Sequence, residues 1–164
     1  MAIKCRYAIH LATLLTVITI PAACGIKHLR AYDRNHLLKK DTFNIVMRTE
    51  QIPNSVVRAF VHITRDSAFS MANPGEKFQV TDVIDEAGLS DRRLIFAGIA
   101  SDHCVLHYEM GGIGHAYYLL LFRLKGSHAT FVWGATLWVA LDGLVGMRSA
   151  ILHDTLDDRY PYLW

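Results

Sequence analysis

The chain has 164 residues, enough for one domain with a well-buried core and short for two. It carries 17 basic and 15 acidic side chains; the first 23 residues hold Lys4 and Arg6 and no acid, so without them 15 of each remain. That balance excludes the basic excess expected of a nucleic-acid-binding domain.

The N-terminus reads as a secretory signal over residues 1–23. Lys4 and Arg6 form a short positive region, and residues 11–20 are an unbroken run of Leu, Ile, Val, Ala and Thr. That run is half the length of a membrane span. Pro21 ends it, ahead of Ala22, Ala23 and Cys24, which completes the pattern of a cleavable signal. The segment Pro21-Ala22-Ala23-Cys24-Gly25 resembles the lipobox of bacterial lipoproteins, with Pro21 standing where that family usually has Leu, Val or Ile. The resemblance implies a diacylglycerol thioether on Cys24, cleavage before it, and a lipid anchor on the periplasmic side of a membrane. Gly25 after the cysteine favours the outer membrane over the inner. In the alternative, ordinary signal peptidase cuts after Ala22 and leaves a soluble periplasmic or secreted protein, in which Cys24 is free to pair with Cys104.

Residues 24–50 are expected to be a tether. The part from Gly25 to Asp41 is polar and basic (Lys27, Arg30, Arg34, Lys39 and Lys40), and residues 42–47 are either a short strand or more linker. Residues 51–164 are expected to form a single α+β domain. Asn54 is placed to cap a helix in which Val56, Val57, Phe60, Val61 and Ile63 share one face. The helix reaches Ile63 or, at most, Met71, before Asn73-Pro74-Gly75. A loop over 76–91 follows, with Val80, Val83 and Ile84 placed to pin it to the core.

The rhythm then changes to period two, in four runs over 93–99, 103–110, 115–124 and 129–136. The breaks between them are short, which predicts antiparallel hairpins and a four-stranded meander. Pairing Met110 with Gly114 sets Glu109 opposite His115 and His107 opposite Tyr117. One face then carries Cys104, Leu106, Tyr108, Ala116, Tyr118, Leu120, Phe122 and Leu124, all apolar, and must be covered. The other is mixed and expected to be partly wet. Residues 137–152 show helical spacing, and this C-terminal helix is expected to join the N-terminal one in covering the apolar face. Residues 129–147, nineteen long with one charge at Asp142, compete as a membrane span; their early alternation and three glycines favour strand and then helix. The tail from Asp154 to Trp164 is acidic and then aromatic, and is expected to dock back on the domain.

The side chains best placed for chemistry are His107, Glu109, His115 and Tyr117. An i, i+2 pair on one strand with a cross-strand partner brings two imidazoles and a carboxylate together, a donor set that suits zinc. The plainer reading is an ordinary cross-strand pair on an exposed sheet face. Acid–base chemistry by His107 or Glu109 would require a pocket. Asp102-His103-Cys104 looks like a nucleophile motif, but His103 and Cys104 point to opposite faces of a strand, with Cys104 on the core side. No P-loop, G-x-G-x-x-G, H-E-x-x-H, G-x-S-x-G or C-x-x-C occurs, and neither a cofactor nor a catalytic residue is assigned. The expected function is that of a small non-enzymatic envelope lipoprotein, held at the membrane by its lipid, that binds another protein as an inhibitor, immunity or assembly-accessory module. A periplasmic metal- or small-ligand-binding protein and an unrecognised hydrolase are the alternatives.

Overall fold

The computed structural model describes residues 28–39, 43–82, 87–112 and 114–158. The segment expected to be a signal, Cys24, Val83, Ile84 and the aromatic end of the tail lie outside the described residues. Among the described residues the chain is α+β, built on one antiparallel sheet of five strands in the order β1-β2-β3-β4-β5. The strands are β1 (Asn44–Val46), β2 (Arg92–Ile99), β3 (His103–Met110), β4 (Ala116–Lys125) and β5 (His128–Leu137), and three helices accompany them: α1 (Ala31–Leu38), α2 (Asn54–Thr64) and α3 (Gly143–Leu152).

The meander follows from its turns. β4 and β5 join through Gly126 and Ser127 alone, with Lys125 opposite His128 and Gly126 at a positive φ of 57°. Such a tight hairpin suits a residue without Cβ. The outer edge of β2 is covered twice. β1 pairs with residues 97–99, and the amide and carbonyl of Ala72 bond to Arg92 and Leu94. A fifth strand therefore lies in the segment expected to be tether. The strand boundaries fall within one residue of the expected runs, and the membrane-span reading gives way: residues 128–137 are strand, and among the described residues no helix is long and apolar enough to cross a membrane.

The β3–β4 register differs from expectation by two residues. Met110 faces Ala116, Glu109 faces Tyr117 and His107 faces Leu119. A slip of two leaves every side chain on its expected face. Cys104, Leu106, Tyr108, Ala116, Tyr118, Leu120 and Phe122 accordingly form one core with Val56 and Phe60 of α2. Phe60 sets its ring edge-on to Tyr108 at 5.5 Å, and Tyr108 stacks on Tyr118 at 5.2 Å.

The face expected to be wet is a second core. Val105, Leu119, Leu121, Trp133, Ala135 and Phe96 pack there against Leu37 of α1 and Met147 and Ile151 of α3. α2 and α3 thus lie on opposite sides of the sheet, which corrects the expectation that both cover one face. Two bulges build this arrangement. The register skips Ile95 between Leu94 and Phe96, and Val132 between Phe131 and Trp133. Each extra residue sends large apolar neighbours to opposite cores.

Part of the expected tether is helix α1, whose Asp33 and Leu37 are buried. It is fastened to α3 by a reciprocal pair of arginines. Arg148 donates to the carbonyls of Leu37 and Lys39 at the end of α1, at 3.3 and 2.6 Å, and Arg34 donates to Ile151 O at the end of α3, at 3.2 Å. Each cation satisfies carbonyls a helix C-terminus leaves open. α2 begins after Pro53, one residue before its expected cap, and ends at Arg65, at a positive φ of 60°. α3 begins six residues later than expected, because Leu137 still belongs to β5. The loop before β2 is held by buried Phe78, whereas Val80 is exposed. The described part of the tail docks on β5, the Thr136 amide donating to Asp157 O at 2.9 Å and Trp133 Nε1 to Asp158 at 3.0 Å.

Gly111 has a specific duty: a Cβ there would collide with the Gln79 carbonyl of the crossing loop, whereas one at Gly114 would meet open space. Gly111→Ala should cost roughly 1–3 kcal/mol in urea denaturation and Gly114→Ala less than about 0.5 kcal/mol.

Candidate functional site

β3 carries three polar side chains into the α1–α3 side of the sheet. His103, His107 and Glu109 are all buried there, so each must find partners.

His107 finds two. Its Nδ1 lies 2.9 Å from Tyr118 O and its Nε2 lies 3.0 Å from the Leu141 amide. A carbonyl only accepts and an amide only donates, so the ring is the neutral tautomer with its proton on Nδ1. Both nitrogens are spent joining β3 to β4 and to the β5–α3 connection. Burial pushes the pKa of His107 below its ordinary 6.5, against the opposing pull of the Tyr118 hydrogen bond and the Glu109 charge.

Glu109 lies between two nitrogenous side chains. Arg93 Nε approaches Oε1 at 2.6 Å and His115 Nε2 approaches Oε2 at 3.0 Å. The Arg93 guanidinium lies 4.4 Å from the Phe78 ring centroid, and the His115 ring lies 5.3 Å from that of Tyr117. Of the residues singled out in the sequence, Glu109, His115 and Tyr117 come together. The ring of His107 lies 6.3 Å from that of Tyr117, and its nitrogens are committed elsewhere. Glu109 lies opposite Tyr117 in register, not His115; His115 reaches it from just before β4. Cys104 points to the other core and is fully buried, which pushes its thiol up to about 12. A thiol so far from ionisation is a poor nucleophile at neutral pH.

The opposite end of β3 holds a group the sequence reading did not assemble. Asp33 and His36, one helical turn apart on α1, meet Asp102 and His103 at the β2–β3 turn. The buried Asp33 carboxylate accepts from Arg123 Nη2 at 2.7 Å and lies 3.1 Å from His103 Nε2. Burial alone would raise the Asp33 pKa, but the hydrogen bonds from Arg123 and His103 outweigh it and hold the acid below its ordinary 3.8. Asp102 is also held low, its partial burial outweighed by His103 and His36. Its Oδ2 lies 3.1 Å from His36 Nε2, and its Oδ1 lies 3.0 Å from His103 Nδ1. That last contact is out of line, and His103 Nδ1 has no hydrogen-bond partner among the described residues. The rings of His36 and His103 lie 4.4 Å apart. One ligand atom from each of His36, Asp102 and His103 falls within 4.8 Å of the others. The signal available in the sequence was Asp33 and His36 at i, i+3, hidden because that stretch read as tether.

No family model matches the chain, and neither a curated protein nor a solved structure does.

The neutral state of His107 has a pH signature. Below about pH 6.5 the unfolded chain takes up a proton on this ring that the folded chain resists, so its contribution is complete above that pH and is lost as pH falls toward the folded value. The stability gap between the wild type and His107→Asn should therefore narrow from about pH 8 to about pH 5 in urea denaturation. A constant gap would show that the ring is not held neutral.

Proposed function

We propose that the protein is an exported, lipid-anchored envelope protein whose folded domain works by binding another protein. The anchor reading rests on the leader and on Cys24 in its lipobox-like setting. The binding reading is carried by Trp138, 82% exposed in the β5–α3 connection, and by the neighbouring Val139 at 68%. Val145, on α3, adds a third exposed apolar side chain at 76%. A side chain as costly to hydrate as Trp is characteristic of the anchors that dominate protein interfaces. The polar residues of β3 support this reading over catalysis. His107 is consumed by backbone hydrogen bonds, and Glu109 is enclosed by Arg93 and His115. A groove of about 610 Å³ lies elsewhere, among His28, Arg34, Trp133, Ile151 and Asp158.

Two measurements test the two halves. Intact mass of the mature protein should show an acylated Cys24 as first residue, and Cys24→Ser should move the protein from the membrane fraction to the soluble one; a retained leader or an unmodified Cys24 would remove the anchor. In mild detergent extracts of the native cell, wild type should co-purify with one stoichiometric partner. Trp138→Ala should weaken that association about 30-fold, the value of a 2 kcal/mol interface anchor. Equal retention by both proteins would count against the Trp138 surface.

A further inference from the structure

We propose that His36, Asp102 and His103 form a three-ligand site for a divalent transition-metal ion, with Zn²⁺ the best match, and that the bound ion staples α1 to the β2–β3 turn.

The donor set comes first. Two neutral imidazoles and one carboxylate are ligands zinc takes readily, and three protein ligands leave a position for water. Spacing is the second point. Four-coordinate zinc with bonds of about 2.0–2.1 Å holds its ligand atoms about 3.3 Å apart. Asp102 Oδ2 lies 3.1 Å from His36 Nε2 and Asp102 Oδ1 lies 3.0 Å from His103 Nδ1, and one ligand atom from each of the three residues falls within 4.8 Å of the others. His36 and Asp102 are partly exposed, at 18% and 39% of their side-chain surfaces, which gives the ion a path in from solvent.

The third point is the protonation pattern around His103. Asp33 sits on its Nε2 at 3.1 Å and is itself held ionised by Arg123 at 2.7 Å. A carboxylate there keeps the ring proton on Nε2, the outer-shell arrangement that orients metal-binding histidines and raises their basicity. The lone pair of Nδ1 is then turned toward Asp102, 3.0 Å away and out of line for a hydrogen bond. A fully buried ring nitrogen without a hydrogen-bond partner is an atom that a bound cation would satisfy.

The location gives the site a consequence. α1 is polar, and Leu37 is its one fully buried apolar side chain. The helix is held through Asp33, through the arginine contacts with α3, and through His36, and an ion shared by His36 and the β2–β3 turn adds a bond at its middle.

The test is Zn²⁺ titration of the purified, chelator-stripped full chain, followed by calorimetry and native mass spectrometry. Wild type should take up one equivalent and unfold at a higher temperature with the metal than without it. His36→Ala, at a partly exposed position where circular dichroism can verify folding, should lose at least about tenfold in affinity. Asp33→Asn should weaken binding about 10–100-fold while keeping one equivalent, as loss of an outer-shell partner does. His153→Ala, on an exposed histidine remote from the cluster in sequence, should bind as wild type. X-ray absorption of the zinc form should show two imidazole nitrogens and a carboxylate oxygen at about 2.0–2.2 Å. Absence of saturable uptake, or uptake unchanged in folded His36→Ala, would overturn the assignment.

Discussion

The central strand, β3, is enclosed from both sides, and seven of its eight residues are buried. A strand so placed cannot use the common economy of antiparallel sheets, in which one face meets the core and the other meets water. Its alternate residues must be apolar on one side and, on the other, either apolar or fully partnered. Val105 takes the first course. His103, His107 and Glu109 take the second. The helices on both faces, the bulges that send aromatic side chains to each core, and the polar bonding along the α1–α3 side all follow from that demand.

The two ends of β3 meet it in the same way. At one end the Glu109 carboxylate lies between Arg93 and His115; at the other the Asp33 carboxylate lies between Arg123 and His103. In each case a guanidinium, charged at any relevant pH, secures the acid, and an imidazole completes it. Removing one partner from such a group leaves an uncompensated buried charge, which is costlier than the pair's net contribution to stability. The ends differ in what lies beyond the imidazole. The His115 ring faces the aromatic rings of Phe78 and Tyr117, and the His103 ring faces a second carboxylate.

Much of the sheet was legible because period-two alternation and short breaks are local signals. They place all four long strands and sort the side chains of β3 and β4 correctly, whereas the bulges in β2 and β5 break the alternation there. The register error survived unnoticed because a two-residue slip exchanges no face. The assignment of the second face as wet failed for a different reason. Histidine, glutamate and arginine on a strand read as solvated side chains, and only partners distant in sequence reveal them as buried. α1 escaped for the converse reason. With a single apolar anchor at Leu37 it has no amphipathic rhythm, and what fixes it is Asp33 meeting Arg123 and His103. The separation of the helices to opposite faces was also hidden, since periodicity shows that a helix has an apolar side but not which side of a sheet receives it.

The bonds that fasten α1 reach far along the chain. Its side chains meet His103, Arg123 and Ile151, at separations of 70, 90 and 117 residues. The sheet, by contrast, closes between consecutive strands. Loop closure favours the near contacts first, so the hairpins can assemble while α1 has nothing to dock on. During synthesis α1 precedes every strand and helix it docks on, and it is therefore among the last elements to settle. Its contact with Ile151 must wait until α3 has been made, 117 residues further along.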